Sequence, residues 1–549
     1  MAVDIPGLVA VVFFYIVILV IGIWAARKSK KVEKKCVGSK SEVTIVGGRN
    51  INTIIGVFTM TATWVGGGYI MGTAEAVYTP TQGLIWALGP FSYVINFILA
   101  GLFFAKPMRS KRYVTMLDPF QRRYGNIFTA ALLVPILVSD LLWVASILNA
   151  LGGTMSVILG LSSAMCIIIS SAFAIIYTFL GGLYSVAYTD IIQLIFIFVS
   201  LWLCVIFLLL GPAVTDVSWP THLNQTNGYT WMGESVWLIP SIAKFFADNA
   251  CALGGLSYQA LYQRILSSAS SAQAQVTCYA AAGTTFMMGI PSVIVGGVAV
   301  SAGTDENWNQ TDYGLPPPAD RGEAGRILPL VLHNLTPTWV SVLGIGAVAA
   351  AVMSSMDSAL LSSASMFTQN IYKTTLRKQA SERELQWAIR ISVLLVGLVG
   401  TALAFGDDSV LAFLIVSGDL LYCLIFPQLV CVIHCRKANT YGAIAGYIIG
   451  LLLRLLSGEP LLGIPPVLLY PGWREEEGVI EQCFPYRTLA MLSSVICITG
   501  VSWLVEQGFS RQIIPRSWDV LGLFKEKTEE AEEKAFPQEN YNRNLNTKL

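Results

Sequence analysis

The stretch TATWVGGGYIMGTAEA, residues 61–76, lies in an apolar run long enough to cross a membrane, yet it holds three consecutive glycines, three threonines and a glutamate. One isolated glycine in a bilayer helix is readily explained by close helix packing. Gly66-Gly67-Gly68, coming straight after Thr61, Thr63 and Trp64, is different, because three glycines together sharply lower helix propensity. An unwound segment exposes carbonyls, and at membrane depth their partners are usually ions or substrate.

The rest of the chain supplies the membrane setting. Its 549 residues are 54% hydrophobic and only 13% charged, with a mean hydropathy of +0.62, far more apolar surface than one soluble core could hide. Apolar stretches of roughly 20 residues recur to about thirteen spans, which predicts an all-α polytopic membrane protein forming one membrane domain. The first span, near 6–26, is retained as a helix and is followed by Arg27, Lys28, Lys30, Lys31, Lys34 and Lys35. That basic cluster belongs in the cytoplasm and places the N-terminus outside. Counting forward puts KPMRSKR (106–112), KTTLRKQASERE (373–384) and HCRK (434–437) inside as well.

The sequons at Asn224, Asn309 and Asn334 fall on the outer side in the same count, Asn334 close to the ninth span, so Asn224 and Asn309 are the expected glycosylation sites. Orientation explains the basic runs, and no nucleic-acid partner is needed; the net charge is +1. The ten cysteines show neither metal-ligand spacing nor a paired extracellular set. The polar tail 508–549, with KEKTEEAEEK from 525, is expected in the cytoplasm and disordered from about residue 524. Only His222, His333 and His434 occur, all in loops or at span ends. With no phosphate-binding loop and no repeated filter segment, enzyme, pump and potassium-channel readings lose weight against a passive or ion-coupled transporter.

A second interruption, ALGGLSYQ (252–259), lies five spans after the first. Broken helices at matching positions in two halves are the mark of inverted-repeat transporters, whose binding site lies between them. The spacing predicts an ion-coupled secondary transporter with its site near Trp64 and Tyr258. A third piece, AVMSSMDSALLSSASMF (351–367), gathers Ser354, Ser355 and Asp357 into a polar group in the ninth span. Hydroxyl and carbonyl oxygens at a helix break suit a small alkali cation, whereas Ser362, Ser363 and Ser365 can simply bond their own backbone. Asp140, Asp190, Asp248 and Asp357 lie in or at the edge of spans, where a carboxylate is paired, hydrated, protonated, capping a helix or serving an ion path.

These residues carry a resemblance. TMTATWVGGGYI (59–70), GTAEAVY (72–78), FFAKPMRS (103–110), YVTMLDPFQ (113–121), GGLYSVAYTD (181–190), AAVMSS (350–355) with Asp357-Ser358, FPQLVCV (426–432) and NTYGAIAGY (439–447) closely resemble the choline branch of the sodium/solute symporter family, from the first span to about residue 507. The resemblance implies thirteen helices in a LeuT-like inverted-repeat core with two broken helices. The first span is 1–26, the repeats are 50–211 (spans 2–6) and 236–434 (spans 7–11), and 440–507 holds the last two spans.

Carried over by position, it implies a sodium site made of carbonyls of Thr61, Trp64 and Ala351 with hydroxyls of Ser354 and Ser355. A second cation position in some relatives falls at Asp190, Asp357 and Ser358. Chloride dependence is implied too, with nothing in the sequence to place the ion. The substrate implied is choline or a closely related quaternary amine, held by an aromatic cage at Trp64, Tyr93, Trp143 and Tyr258, with Asp140 at a position resembling a family glutamate one turn before Trp143. Aromatic faces suit a trimethylammonium head, which has no proton to give a carboxylate.

Two departures bear on specificity. Tyr258 stands in GGLSYQ where the choline branch has tryptophan in a GGIPWQ-like setting, and Asp248 and Asn249 stand where it runs apolar. Asp248 is expected to face the outer approach and favour cations. The expected function is therefore sodium-coupled import of choline or a related amine across the plasma membrane. The alternatives are transport of another organic cation or osmolyte, or a non-transporting membrane sensor. Membrane lipid is the surrounding partner, and the oligomeric state is not fixed by the sequence.

Overall fold

The computed structural model describes residues 16–28, 39–79, 82–159, 162–210, 252–301, 308, 311, 313–406, 410–459, 463–476, 479–482 and 484–523. Asp248, Asn249, both expected glycosylation sites and the tail from 524 lie outside them.

A bilayer offers no water to backbone N–H and C=O groups, so a spanning segment must satisfy them itself. The described residues are accordingly almost all helical, apart from one short antiparallel hairpin, Arg474–Glu476 with Val479–Glu481. Among the described residues eight helices are long and apolar enough to cross a membrane, and the bent pair Thr53–Trp64 and Gly67–Tyr78, taken as one span, makes a ninth. Two shorter apolar helices, Ser163–Ile176 and Thr440–Leu456, accompany them.

Local sequence sets the helix starts. Asn52, Ser162, Ser381 and Asn439 each accept a backbone N–H three residues on, and Ser381 with Glu384 forms a reciprocal capping box.

Helix Thr338–Met366 is the centre of the bundle. It touches Thr53–Trp64, Gly67–Tyr78, Gln259–Ser267, Asn126–Leu159 and Leu183–Leu209. Of its most apolar window 78% is buried in protein, against 28% for the peripheral helix Tyr486–Ser510. Polar side chains concentrate where lipid cannot reach: Ser354, Ser355, Asp357 and Ser358 are buried, while Leu395, Leu398, Ile496 and Leu504 point outward.

The last two spans pack along a ridge of small residues. Gly442, Gly446 and Gly450 face Ser502, Ile498 and Ser494, and the Ser494 hydroxyl donates to the Gly446 carbonyl at 2.9 Å. Beside them Arg454 binds Asp419 at 2.5 Å and also pairs with Glu459, while Arg487 lies 3.3 Å from Asp419.

Candidate functional site

The glycine run breaks its helix where the sequence predicts. The two halves meet at 53°, with Val65 outside the helical region and Gly66 extended. The Val65 N–H still bonds the Thr61 carbonyl at 2.8 Å, so Thr61 keeps its helical partner. The carbonyls that the central helix reaches are those of Ala62 and Thr63. Ser354 donates to Ala62 at 3.0 Å and to Ala351 at 2.9 Å, and Ser355 donates to Thr63 at 2.9 Å.

Gly66 is required by this approach, because a Cβ there would lie 2.2 Å from the Ser355 Oγ. The expected Ser354, Ser355 and Ala351 are thus brought together at the break. Ala62 and Thr63 join them, and Thr61 instead sets its hydroxyl 2.6 Å from that of Thr284.

Trp64, the last residue before the break, is the hub of the aromatic group. Its ring centroid lies 4.8 Å from Tyr93, 5.8 Å from Tyr258 and 6.5 Å from Trp143, and Trp143 lies 4.9 Å from Tyr258. Trp64 meets Tyr93 at 80° and Tyr258 at 89°, like adjoining walls of a box. All four expected rings are therefore neighbours, drawn from both breaks and from two other spans. Phe97, 5.6 Å from Trp64, and Tyr69, stacked on Tyr93 at 5.3 Å, back the walls. Gly255 lets the second break press against the box, since a Cβ there would be 2.8 Å from the Trp64 ring.

A hydroxyl cluster holds the Tyr258 wall. Ser139 and Ser417 donate to each other's carbonyls at 2.8 Å, the Tyr258 hydroxyl shares a hydrogen bond with the Ser417 hydroxyl, and Ser139 also reaches Tyr258 at 3.4 Å. Next to Ser139, Asp140 is fully buried and accepts a 2.5 Å hydrogen bond from Ser363. Ser362 and Ser365 bond their own helix as expected, whereas Ser363 does so and also reaches Asp140.

At the second expected cation position the structure places an arginine. Asp190 and Ser358 face the Arg264 guanidinium, whose Nη2 donates to the Ser358 Oγ at 2.5 Å and lies 3.6 Å from the Asp190 Oδ2. Thr59 donates to the same carboxylate oxygen, and Asp357 interacts electrostatically with Arg264. Sequence reading missed Arg264, because QALYQRILSSASS (259–271) looks like an ordinary polar span end. The available signal was its place six residues after Tyr258. Ser139 and Ser417 gave none, since a lone serine in a span is commonplace.

A broken helix meeting a serine pair beside a box of aromatic rings defines a multi-pass membrane transporter of the broken-helix kind. The chain matches the family described as SSF: Sodium:solute symporter family across residues 44–450, and it belongs to that family. It is 46% identical over 528 residues to the High-affinity choline transporter 1 of Torpedo marmorata, covering 95% of this chain and 89% of that protein. With the High affinity choline transporter 1 of Homo sapiens it shares 46% over 532 residues, 95% of this chain and 88% of that one. A solved Na+-coupled sialic acid symporter, in a substrate-bound outward-open state, has the same fold at a TM-score of 0.71 and 17% identity, covering 91% of this chain and 98% of that one. The chain is thus a transporter and not an enzyme.

Proposed function

We propose that this protein is a sodium-coupled symporter that imports choline or a closely related quaternary amine across the plasma membrane. The observation that carries the reading is the box of Trp64, Tyr93, Trp143 and Tyr258 built against the helix break whose carbonyls meet Ser354 and Ser355. The amine head lies among the ring faces, each contributing about 0.5–2 kcal/mol according to its desolvation, and the buried Asp140 carboxylate adds a compensating charge nearby. Sodium lies between the serine pair, the Ala351 carbonyl and the carbonyls of the break, among which the family position favours Thr61 and Trp64 and the observed contacts favour Ala62 and Thr63.

In this reading the repeats are 50–211 and 236–434, the N-terminus is extracellular and glycosylated loops carry Asn224 and Asn309. Chloride accompanies transport without an assigned position. An inside-negative potential draws both cations inward, contributing about 2.3 kcal/mol per charge per 100 mV.

The test is uptake of labelled choline into cells expressing the full chain, with sodium present or replaced and with betaine, carnitine and other amines as competitors. Saturable sodium-dependent choline uptake is the expected result. Sodium-dependent uptake of a competitor in place of choline would move the substrate assignment, and specific binding without uptake would make the protein a sensor.

A further inference from the structure

Two carboxylates, Asp190 and Asp357, are buried in the bundle beside one arginine, and all three are almost inaccessible to solvent. An ionised side chain at that depth must be compensated. The identity of the compensating charge decides how many ions the protein carries per cycle.

We infer that the Arg264 guanidinium permanently fills the position at Asp190 and Ser358 that a second sodium would take, so that each transport cycle is driven by a single sodium ion. The inference rests on the proposed sodium-coupled transport and adds its stoichiometry.

Three observations lead there. The first is the Ser358 hydroxyl, which accepts from Arg264 at 2.5 Å, donates to the Ser354 carbonyl at 2.9 Å and lies 3.1 Å from the Thr63 hydroxyl. The guanidinium thus takes an acceptor direction of the Ser358 hydroxyl that a metal ion would otherwise use.

The second is the unfinished pairing of Asp190 with Arg264. Asp190 Oδ1 and Arg264 Nε have no hydrogen-bond partner among the described residues, and the closest charged contact between the two side chains is 3.6 Å. The unused acceptor and the unused donor belong to the same pair, and closing that gap would form the two-pronged arginine–carboxylate contact.

The third is charge. Arginine does not lose its proton in a protein, so with both carboxylates ionised Asp190, Asp357 and Arg264 together leave one negative charge. Asp357 sits one helical turn beyond Ser354, and a single sodium at the serine pair balances it. A second sodium would leave the cluster positive.

The geometry also connects the two breaks. Arg264 lies on helix Gln259–Ser267, which starts directly after Tyr258, and through Ser358 it reaches Thr63 and the carbonyl of Ser354. The resident charge therefore ties the second break to the sodium position on the first.

The test is a ratio of tracer fluxes, labelled sodium against labelled choline, for the purified full-length protein in sealed liposomes. One sodium per choline is expected, and two would overturn the inference whatever any variant does. Arg264→Gln removes the resident charge and is expected to recruit a second sodium, raising the Hill slope for sodium from about one to about two. A transporting Arg264→Gln protein with an unchanged slope would also overturn it, and if that variant carries nothing the wild-type ratio decides alone. Absence of any sodium-dependent choline flux in the wild type would instead sink the proposed function.

Discussion

The Tyr258 and Ser417 hydroxyls are hydrogen-bonded to each other in the buried interior, joining the second helix break to helix Val410–Leu420. The ring that closes the aromatic box is therefore fixed by a partner more than a hundred residues away. Tyr258→Phe keeps the π face and removes that anchor, leaving Ser417 with a lost partner. A buried hydrogen bond is worth about 1 kcal/mol net, so apparent choline affinity is expected to fall about five-fold. Concentration dependence of uptake checks this, and Tyr258→Ala, which deletes the ring too, is expected to fall further.

Gly66 and Gly283 separate two meanings of glycine in one protein. A Cβ on Gly66 would sit 2.2 Å from the Ser355 Oγ, whereas on the exposed Gly283 it would meet nothing within 4 Å. Gly66→Ala is expected to abolish sodium-dependent uptake with the protein still inserted. Gly283→Ala is expected to transport normally and to gain about 0.5–1 kcal/mol of stability from better helix propensity. Thermal unfolding in detergent together with uptake tests both halves, and equal loss of transport in the two variants would contradict the assignment.

Ser355 bonds across to the Thr63 carbonyl, while Ser365 bonds back within its own helix to Ser362. Ser355→Ala is therefore expected to raise the sodium concentration for half-maximal uptake about ten-fold, in line with about 1.4 kcal/mol lost at an ion ligand. Ser365→Ala is expected to change it less than about two-fold. A sodium titration at fixed choline distinguishes them.

Arg454 is buried among Asp419, Glu459 and the Gly458 carbonyl, to which it donates at 2.8 Å. Arg454→Met withdraws one side of a buried ionic cluster and is expected to destabilise the protein by about 3–5 kcal/mol. The transition temperature should fall clearly, while choline affinity of the protein that remains folded changes little. A stable Arg454→Met protein would show that Arg487 suffices to compensate Asp419.

The break was legible because it is local: a glycine triplet lowers helix propensity wherever it occurs, and Trp64 sits at its edge, whereas Tyr93 and Trp143, on two other spans, were reached only through the family resemblance. The serine pair was legible because polar atoms are costly at bilayer depth. Its carbonyl partners were less so. Which carbonyl an unwound turn turns outward depends on dihedral angles at Val65 and Gly66, and Thr61 retained its helical bond where the family position points to it as an ion ligand. Arg264 was hidden for another reason. An arginine near a span end ordinarily reports orientation through the positive-inside bias, and only the folded bundle shows this one turned inward against Asp190.

The glycine ridge of the last two spans sets what the rest of the protein can be measured against. A Cβ on Gly442 would lie 2.4 Å from the Ile498 carbonyl and one on Gly446 2.8 Å from the Ser494 carbonyl, so these two helices approach to backbone distance, with the buried Ile498 side chain seated against Gly446. Sliding one along the other would drive main-chain atoms together. A pair of spectroscopic labels on the lipid-facing sides of this hairpin, at Leu452 and Ile496, should therefore hold one separation whether sodium and choline are present or absent. It offers an internal ruler, against which a label near either break can be read for movement during the cycle.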